Sequence, residues 1–233
     1  MMLRKAFTAA ALAMSSWVGL APVCTADTPG VRLQPGVSIY VVNRDTQIQS
    51  TCTLGWLVVS PTGQLQALTA GHCRTGPEIA VRDPATGDAY EAASWVDSRN
   101  SGHDTVLHGT DIATVAISTD LGHSVSTRDG ISAAGVSTAQ DLLDDPPIRV
   151  CKRGGQTGVS CGALVAVSDD RVAFRAAVDH GDSGGPVWAV SGTGDVTAVA
   201  VVVGQSDDDP SVTVGQLINP WLVRWGCKLG VAA

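Results

Sequence analysis

What the chain lacks narrows its roles before any motif is read. Beyond the N-terminal region it holds only two lysines, Lys152 and Lys228, and it has no basic stripe. With a formal net charge of −7 it offers no electrostatic footprint for a polyanion, which argues against nucleic acid as a partner. None of its cysteines forms a C-x-x-C pair, so the commonest zinc-site spacing is missing. Aromatics are scarce at 4% of residues, and no internal repeat or low-complexity tract is visible. Helical periodicity is weak everywhere except near the C-terminus, where Asn219-Pro220-Trp221-Leu222-Val223-Arg224-Trp225 could open a short helix with proline in its first turn.

What is present is a series of short β-like runs, broken by Gly, Pro, Asn and Asp clusters. One group covers 37–42, 54–59, 64–69, 79–82, 90–96 and 112–117. A second covers 149–152, 162–168, 172–176, 186–191, 196–203 and 212–217. Two such groups predict an all-β fold of two six-stranded antiparallel barrels, and 233 residues suffice for a sizeable core. The expected division is 37–128 for the first barrel, 129–147 for a crossing linker and 148–233 for the second barrel with the terminal helix.

The N-terminus has the pattern of an export signal: Arg4 and Lys5, an apolar run from 6 to 20, then small residues at Cys24-Thr25-Ala26. Residues 1–26 are therefore expected to be a signal peptide, followed by a short arm over 27–36. A retained anchor and a lipid on Cys24 are the alternatives; Val23 is a poor residue before a lipidated cysteine. The expected location is extracellular or cell-envelope, without stable membrane insertion after cleavage.

Three motifs carry chemistry. Gly181-Asp182-Ser183-Gly184-Gly185-Pro186 offers a hydroxyl beside glycine, where backbone N–H groups of Gly181 and Ser183 could meet a developing oxyanion. A serine hydroxyl needs a base, and His72 in Thr69-Ala70-Gly71-His72-Cys73 can serve because imidazole titrates near neutral pH. Asp111 opens the apolar run Asp111-Ile112-Ala113-Thr114-Val115 and could orient that imidazole; Asp104 is its rival. The G-x-S-x-G elbow of α/β-hydrolases also matches, but in that fold histidine follows serine, and every histidine here precedes Ser183.

In this order GDSGGP, TAGHC and the DIA run resemble chymotrypsin-like serine proteases. The segment Val150-Cys151-Lys152-Arg153-Gly154-Gly155 through Cys161-Gly162 is similar to the bacterial streptogrisin and α-lytic-protease branch. The resemblance implies a site between two barrels, with His72, Asp111 and Ser183 as catalytic residues and Gly181 and Ser183 as the oxyanion hole. It also implies a Cys52–Cys73 bridge beside the histidine. Near pairing in an oxidising compartment adds Cys151–Cys161, each bridge being worth roughly 3 kcal/mol in a chain-entropy model. Cys227 is left over.

Animal members pair a freshly cut N-terminus with the aspartate before the nucleophile, and no cleavage site followed by Ile-Val is visible here. Asp182 therefore needs an internal cation. Arg153 is the expected partner and Arg149 the second candidate. Bacterial relatives carry a long pro-region, for which the arm 27–36 is too short.

Ala177 stands where tryptic members hold an aspartate, so recognition of Lys or Arg is not expected. The expected substrate-binding residues are Ala177, His180, Val203 and Gly204, lining a pocket for a small or medium apolar side chain. Asp207-Asp208-Asp209-Pro210 reads as a solvated turn, or as an acidic rim attracting cations. The expected activity is endopeptidase hydrolysis of peptide or protein substrates, with no metal or organic cofactor. A binding protein on the same scaffold and an esterase are the alternatives.

Overall fold

Alternating and continuous runs of β-branched residues become strands wherever a glycine or polar cluster lets the chain turn back. The computed structural model describes residues 30–46, 48–101 and 107–231. The expected signal segment 1–26 and the rival Asp104 lie outside the described residues.

The first half contains β1 (Arg32–Leu33), β2 (Ser38–Asn43), β3 (Ile48–Thr53), β4 (Leu57–Val59), β5 (Leu65–Thr69), β6 (Glu78–Arg82), β7 (Ala89–Asn100), β8 (Asp111–Ile117) and β9 (Gly122–His123). Helix α1 (Ala139–Asp144) follows, within the segment expected to be a linker. Its start is explained by a capping box in which Thr138 and Asp141 satisfy each other's backbone N–H groups. The second half contains β10 (Arg149–Gly154), β11 (Gly158–Gly162), β12 (Leu164–Val167), β13 (Arg171–Arg175), β14 (Pro186–Val190), β15 (Val196–Gln205) and β16 (Val212–Leu217). The chain ends with α2 (Asn219–Trp225) and β17 (Lys228–Leu229).

Apart from β1 and β9, which pair with each other, these strands form two curled sheets, in the orders β17-β4-β5-β8-β7-β6-β2-β3 and β11-β10-β14-β15-β16-β13-β12. The expected all-β, two-barrel architecture with a short C-terminal helix is what the chain adopts. The strands beyond the expected six per half come from short pairings that hydrophobic pattern hides. β3 is mostly polar, β11 is the far arm of a hairpin, and β17 is a two-residue return onto the first sheet.

Each half encloses its own core. Leu33, Ile39, Leu54, Leu57, Ile79 and Val115 fill the first. Val150, Val172, Phe174, Val187, Val199 and Leu217 fill the second. Between them lies a third cluster in which Trp56 and Leu68 meet Trp188, Val201 and Trp221. Trp56 is almost wholly buried there, and its indole N–H donates to the Ala200 carbonyl at 3.1 Å and the Val187 carbonyl at 3.3 Å. A first-half side chain thereby satisfies backbone groups of the second half, which fixes how the sheets meet. α2 reinforces the joint: its Trp225 indole donates to Asp97 of β7 at 3.1 Å. Among the described residues, no helix is long and apolar enough to cross a membrane.

Candidate active site

The first half presents His72 on a single 3₁₀ turn, Gly71–Cys73, directly after the buried strand β5. Asp111 is the first residue of β8, the strand paired with β5. Its carboxylate accepts from His72 Nδ1 at 2.6 Å and from the His72 backbone N–H at 2.8 Å. Two-point contact leaves the ring little freedom, and the Nδ1 contact selects the tautomer whose Nε2 is free to accept a proton. The Asp111 side chain is 5% exposed and that of His72 is 38% exposed, so the carboxylate is hidden behind a ring that reaches solvent.

The Asp111 backbone N–H donates to Gln216 Oε1 at 2.9 Å. Gln216 lies in β16, every residue of which is buried, and so the second half helps hold the carboxylate. That residue was missed from sequence; a lone amide in the mostly apolar, wholly buried strand β16 was the available signal.

The Ser183 loop enters from the second half. Asp179 to Asp182 closes a turn, Asp182 N–H donating to the Asp179 carbonyl at 3.0 Å. Gly181 sits at its third position with φ +99°, which marks a type II turn and which an L side chain rarely adopts. The Asp182 carbonyl accepts from Gly185 N–H at 3.0 Å. Peptide planarity then turns the N–H of Ser183 away from that contact. Among the described residues, neither the Gly181 nor the Ser183 N–H has a hydrogen-bond partner.

Thr53, fully buried at the end of β3, clamps the loop to the first half. Its N–H donates to the Ser183 carbonyl and its hydroxyl to the Gly181 carbonyl, both at 2.7 Å. Sequence reasoning passed over Thr53, because a threonine ending a polar strand carries no local signal of this task.

His72, Gly181 and Ser183 line one cleft of about 450 Å³. No hydrogen bond joins His72 to Ser183 among the described residues; the Ser183 hydroxyl makes a long 3.4 Å contact to the Val203 carbonyl. Such contacts are often loose without substrate and tighten in the reactive complex. Val203 is the extra residue of a bulge in β15, between Val202 and Gly204, which turns its carbonyl toward the serine. Gly204 has open space where a Cβ would stand. His180 lines the same cleft, whereas Ala177 does not; it is exposed, its N–H held by Ser160 Oγ at 2.8 Å.

The expected Asp182–Arg153 ion pair is not formed. Lys152 Nζ reaches Asp182 Oδ2 at 2.8 Å, and both side chains are fully buried. The reason is strand parity. Val150, Lys152 and Gly154 of β10 share one face by alternation, so Lys152 points inward with Val150. Arg153, on the other face, packs over Gly36 and pairs with Asp129, while Arg149 is exposed.

The remaining capacity of the Asp182 carboxylate is filled by the turn after β10 and by Asp179 of its own loop. Oδ1 accepts from the N–H groups of Gln156 and Thr157, both at 2.9 Å; Oδ2 accepts from the Thr157 hydroxyl at 2.5 Å and from Asp179 N–H at 3.1 Å. Burial acts to raise the Asp182 carboxyl, but bonds from Lys152 and Thr157 outweigh it and hold the group below the ordinary carboxylate value. Burial pushes the Lys152 ammonium below its ordinary value, against the pull of Asp182.

Gly154 completes this cradle by having no side chain: a Cβ there would stand 1.9 Å from Asp182 Oδ1. Gly154→Ala is accordingly expected to push Asp182 out of place and to lower turnover more than it lowers substrate affinity. Steady-state kinetics separate the two, and an alanine variant with unchanged kcat contradicts the placement.

Cys52–Cys73 and Cys151–Cys161 are both bonded, with Cα separations of 6.2 and 4.0 Å. Cys52, His72 and Cys73 bring ligand-type atoms within 4.8 Å of one another, but the two sulfurs are bonded together and offer no thiolate to a metal. Cys227 is a free, partly buried thiol, raised above its ordinary pKa by burial.

Comparison with known proteins places the fold. It is the two-barrel fold of bacterial chymotrypsin-like serine proteases. Thermobifida fusca protease A superposes with a TM-score of 0.62 at 21% identity, over 87% of this chain and 100% of that one. Nocardiopsis protease gives 0.59 at 22% identity, over 85% and 99%. In sequence, the uncharacterized protein Rv1815 of Mycobacterium tuberculosis (strain ATCC 25618 / H37Rv) is 28% identical over 192 residues, 78% of each chain. No protein-family model matches the chain.

Proposed function

We propose that this chain is an exported serine endopeptidase. The observation that carries the reading is the Asp111-held imidazole of His72 in one cleft with the Ser183 hydroxyl and the unpartnered N–H groups of Gly181 and Ser183. Ser183 Oγ attacks the scissile carbonyl while His72 Nε2 takes its proton. Asp111 fixes the tautomer and stabilises the imidazolium. The carbonyl oxygen gains charge and is held by the two free N–H groups, each donor contributing about 3–4 kcal/mol in such chemistry. His72 then hands the proton to the leaving amine, and water releases the acyl group by the same route.

On the acyl side, Ala177, Val203 and Gly204 form the specificity wall, whereas His180 lines the cleft beside His72. Its lack of a carboxylate at Ala177 favours a small or medium apolar side chain over Lys or Arg. Export is supported by the two disulfides, which persist in oxidising compartments.

The test is labelling by a fluorophosphonate, which reacts only with an activated serine. We expect labelling of the mature protein and none of Ser183→Ala. An unlabelled wild-type protein would mean a scaffold without catalysis. Labelling accompanied by ester turnover but no peptide cleavage would make it an esterase.

A further inference from the structure

The cleft that holds His72 and Ser183 extends to one side only. It runs from Gly181 toward the Cys52–Cys73 disulfide, and its remaining lining is Ser50, Thr51, Thr75, Gln156 and His180. Thr51 and Gln156 flank the oxyanion glycine closely. A Cβ at Gly181 would lie 3.7 Å from Thr51 Cγ2 and 3.6 Å from Gln156 Cβ. Ser50 and Thr75 are joined hydroxyl to hydroxyl at 2.6 Å, which leaves further acceptor capacity facing the solvent. Val203 and Gly204, which would receive the acyl portion, are not part of this space.

Direction follows from the chemistry. His72 must pass its proton to the departing amine, so the chain leaving with that amine has to lie on the imidazole side of Ser183, against the disulfide. This cleft is therefore where the residue after the cut bond sits. Its walls carry hydroxyls, an amide, an imidazole and the Cys52–Cys73 disulfide, with no Asp, Glu, Lys or Arg and no aliphatic or aromatic side chain. A polar, uncharged residue placed here can hydrogen-bond to those groups, which an apolar one cannot do, while a charged one would find no opposite charge.

Resting on the proposed acyl-transfer mechanism, we infer that the enzyme selects an uncharged hydrogen-bonding residue, of the Ser, Thr, Asn or Gln class, immediately after the scissile bond. Thr51 and Gln156 are its specificity-determining residues. The peptides cut would be those in which a small or medium apolar residue precedes a polar, uncharged one.

Acyl-enzyme partitioning tests this without reference to the acyl-side pocket. p-Nitrophenyl acetate acylates Ser183: the ester C–O bond breaks, p-nitrophenol departs and acetyl-Ser183 forms. An added amino-acid amide then competes with water. Its nitrogen attacks the acetyl carbon, the bond to Ser183 Oγ breaks, His72 takes the amine proton and the serine regains its own, giving an N-acetyl amino-acid amide. Mass spectrometry counts that product against acetate, after subtraction of the background with Ser183→Ala.

Serinamide and asparaginamide are expected to capture the acyl group at least about fivefold better than leucinamide, as one net hydrogen bond would provide. Lysinamide and the α-amide of aspartic acid should also fall below them. In Thr51→Val/Gln156→Leu the preference over leucinamide should collapse to about one. Leucinamide or a charged amide matching the polar amides overturns the inference, as does an unchanged ratio in the double variant. If fluorophosphonate labelling fails in the wild type, the acyl-transfer mechanism itself falls, and this inference with it. Intact labelling with no polar preference removes the inference alone.

Discussion

Lys152→Met will destabilise the protein by about 3–5 kcal/mol and abolish most of its activity, although Lys152 touches no reacting atom. The side chains of Lys152 and Asp182 are both fully buried, and removing one partner strands a carboxylate that has no other ion-pair partner among the described residues. For a chain of this length the loss lowers the melting temperature by roughly 6–20 °C. Asp182 is adjacent to Ser183, and its carboxylate holds the turn that leaves the Gly181 N–H unpartnered, so a displaced Asp182 also displaces the proposed oxyanion donors. Arg153→Ala serves as the contrast. Its partner Asp129 is 42% exposed, and such pairs are worth at most about 1 kcal/mol. A Lys152→Met melting temperature within about 2 °C of wild type would remove Lys152 from this role.

The same pair sets an acid limit. In the folded protein the Asp182 carboxyl lies below its ordinary value of 3.8, so the folded state binds its proton less readily than the unfolded chain does. Its stabilising contribution is complete above the unfolded value and is lost as pH falls below 3.8 through the lower folded value. Melting temperature should therefore drop through that window, and by less in Lys152→Met, where the carboxylate has already lost its ammonium partner.

Much of this was legible in the chain, and the reasons for the exceptions are physical. The motifs around His72, Asp111 and Ser183 are local, each presenting its residue at the end of a strand or on a tight turn, and the two-barrel fold follows from the recurrence of short apolar runs. The structure brings His72 and Ser183 to one cleft, with Asp111 bonded behind the imidazole. What sequence missed is non-local. Thr53 and Gln216 act across the joint between the sheets, with partners, the Gly181 carbonyl and the Asp111 backbone N–H, 128 and 105 residues away in sequence. The resemblance to the bacterial branch, which uses an internal arginine, pointed to Arg153 as the Asp182 partner, although strand parity with Val150 favours Lys152. Strand β3 escaped because only its pairing with β2, not any apolar pattern, makes it a strand.

The other large effect concerns the reacting groups themselves. Ser183→Ala and His72→Ala should each lower kcat by about 10⁶-fold, and the double variant should be no worse than either single. Serine without a base is a poor nucleophile, and a base without the hydroxyl has no proton to take, so the second removal deletes nothing that still functions. Asp111→Asn should cost less, about 10⁴-fold, because the nucleophile and base survive but the ring is held in the wrong tautomer. The Nδ1 contact at 2.6 Å is what makes that tautomer argument specific, since Asp111 reaches the ring and the His72 backbone at once. A residual rate of about 10³–10⁴ over uncatalysed hydrolysis should persist in all these variants, supplied by the Gly181 and Ser183 N–H groups and by substrate binding. Multiplicative losses in Ser183→Ala/His72→Ala would show that the two side chains act independently, and would remove the proton transfer between them from the mechanism.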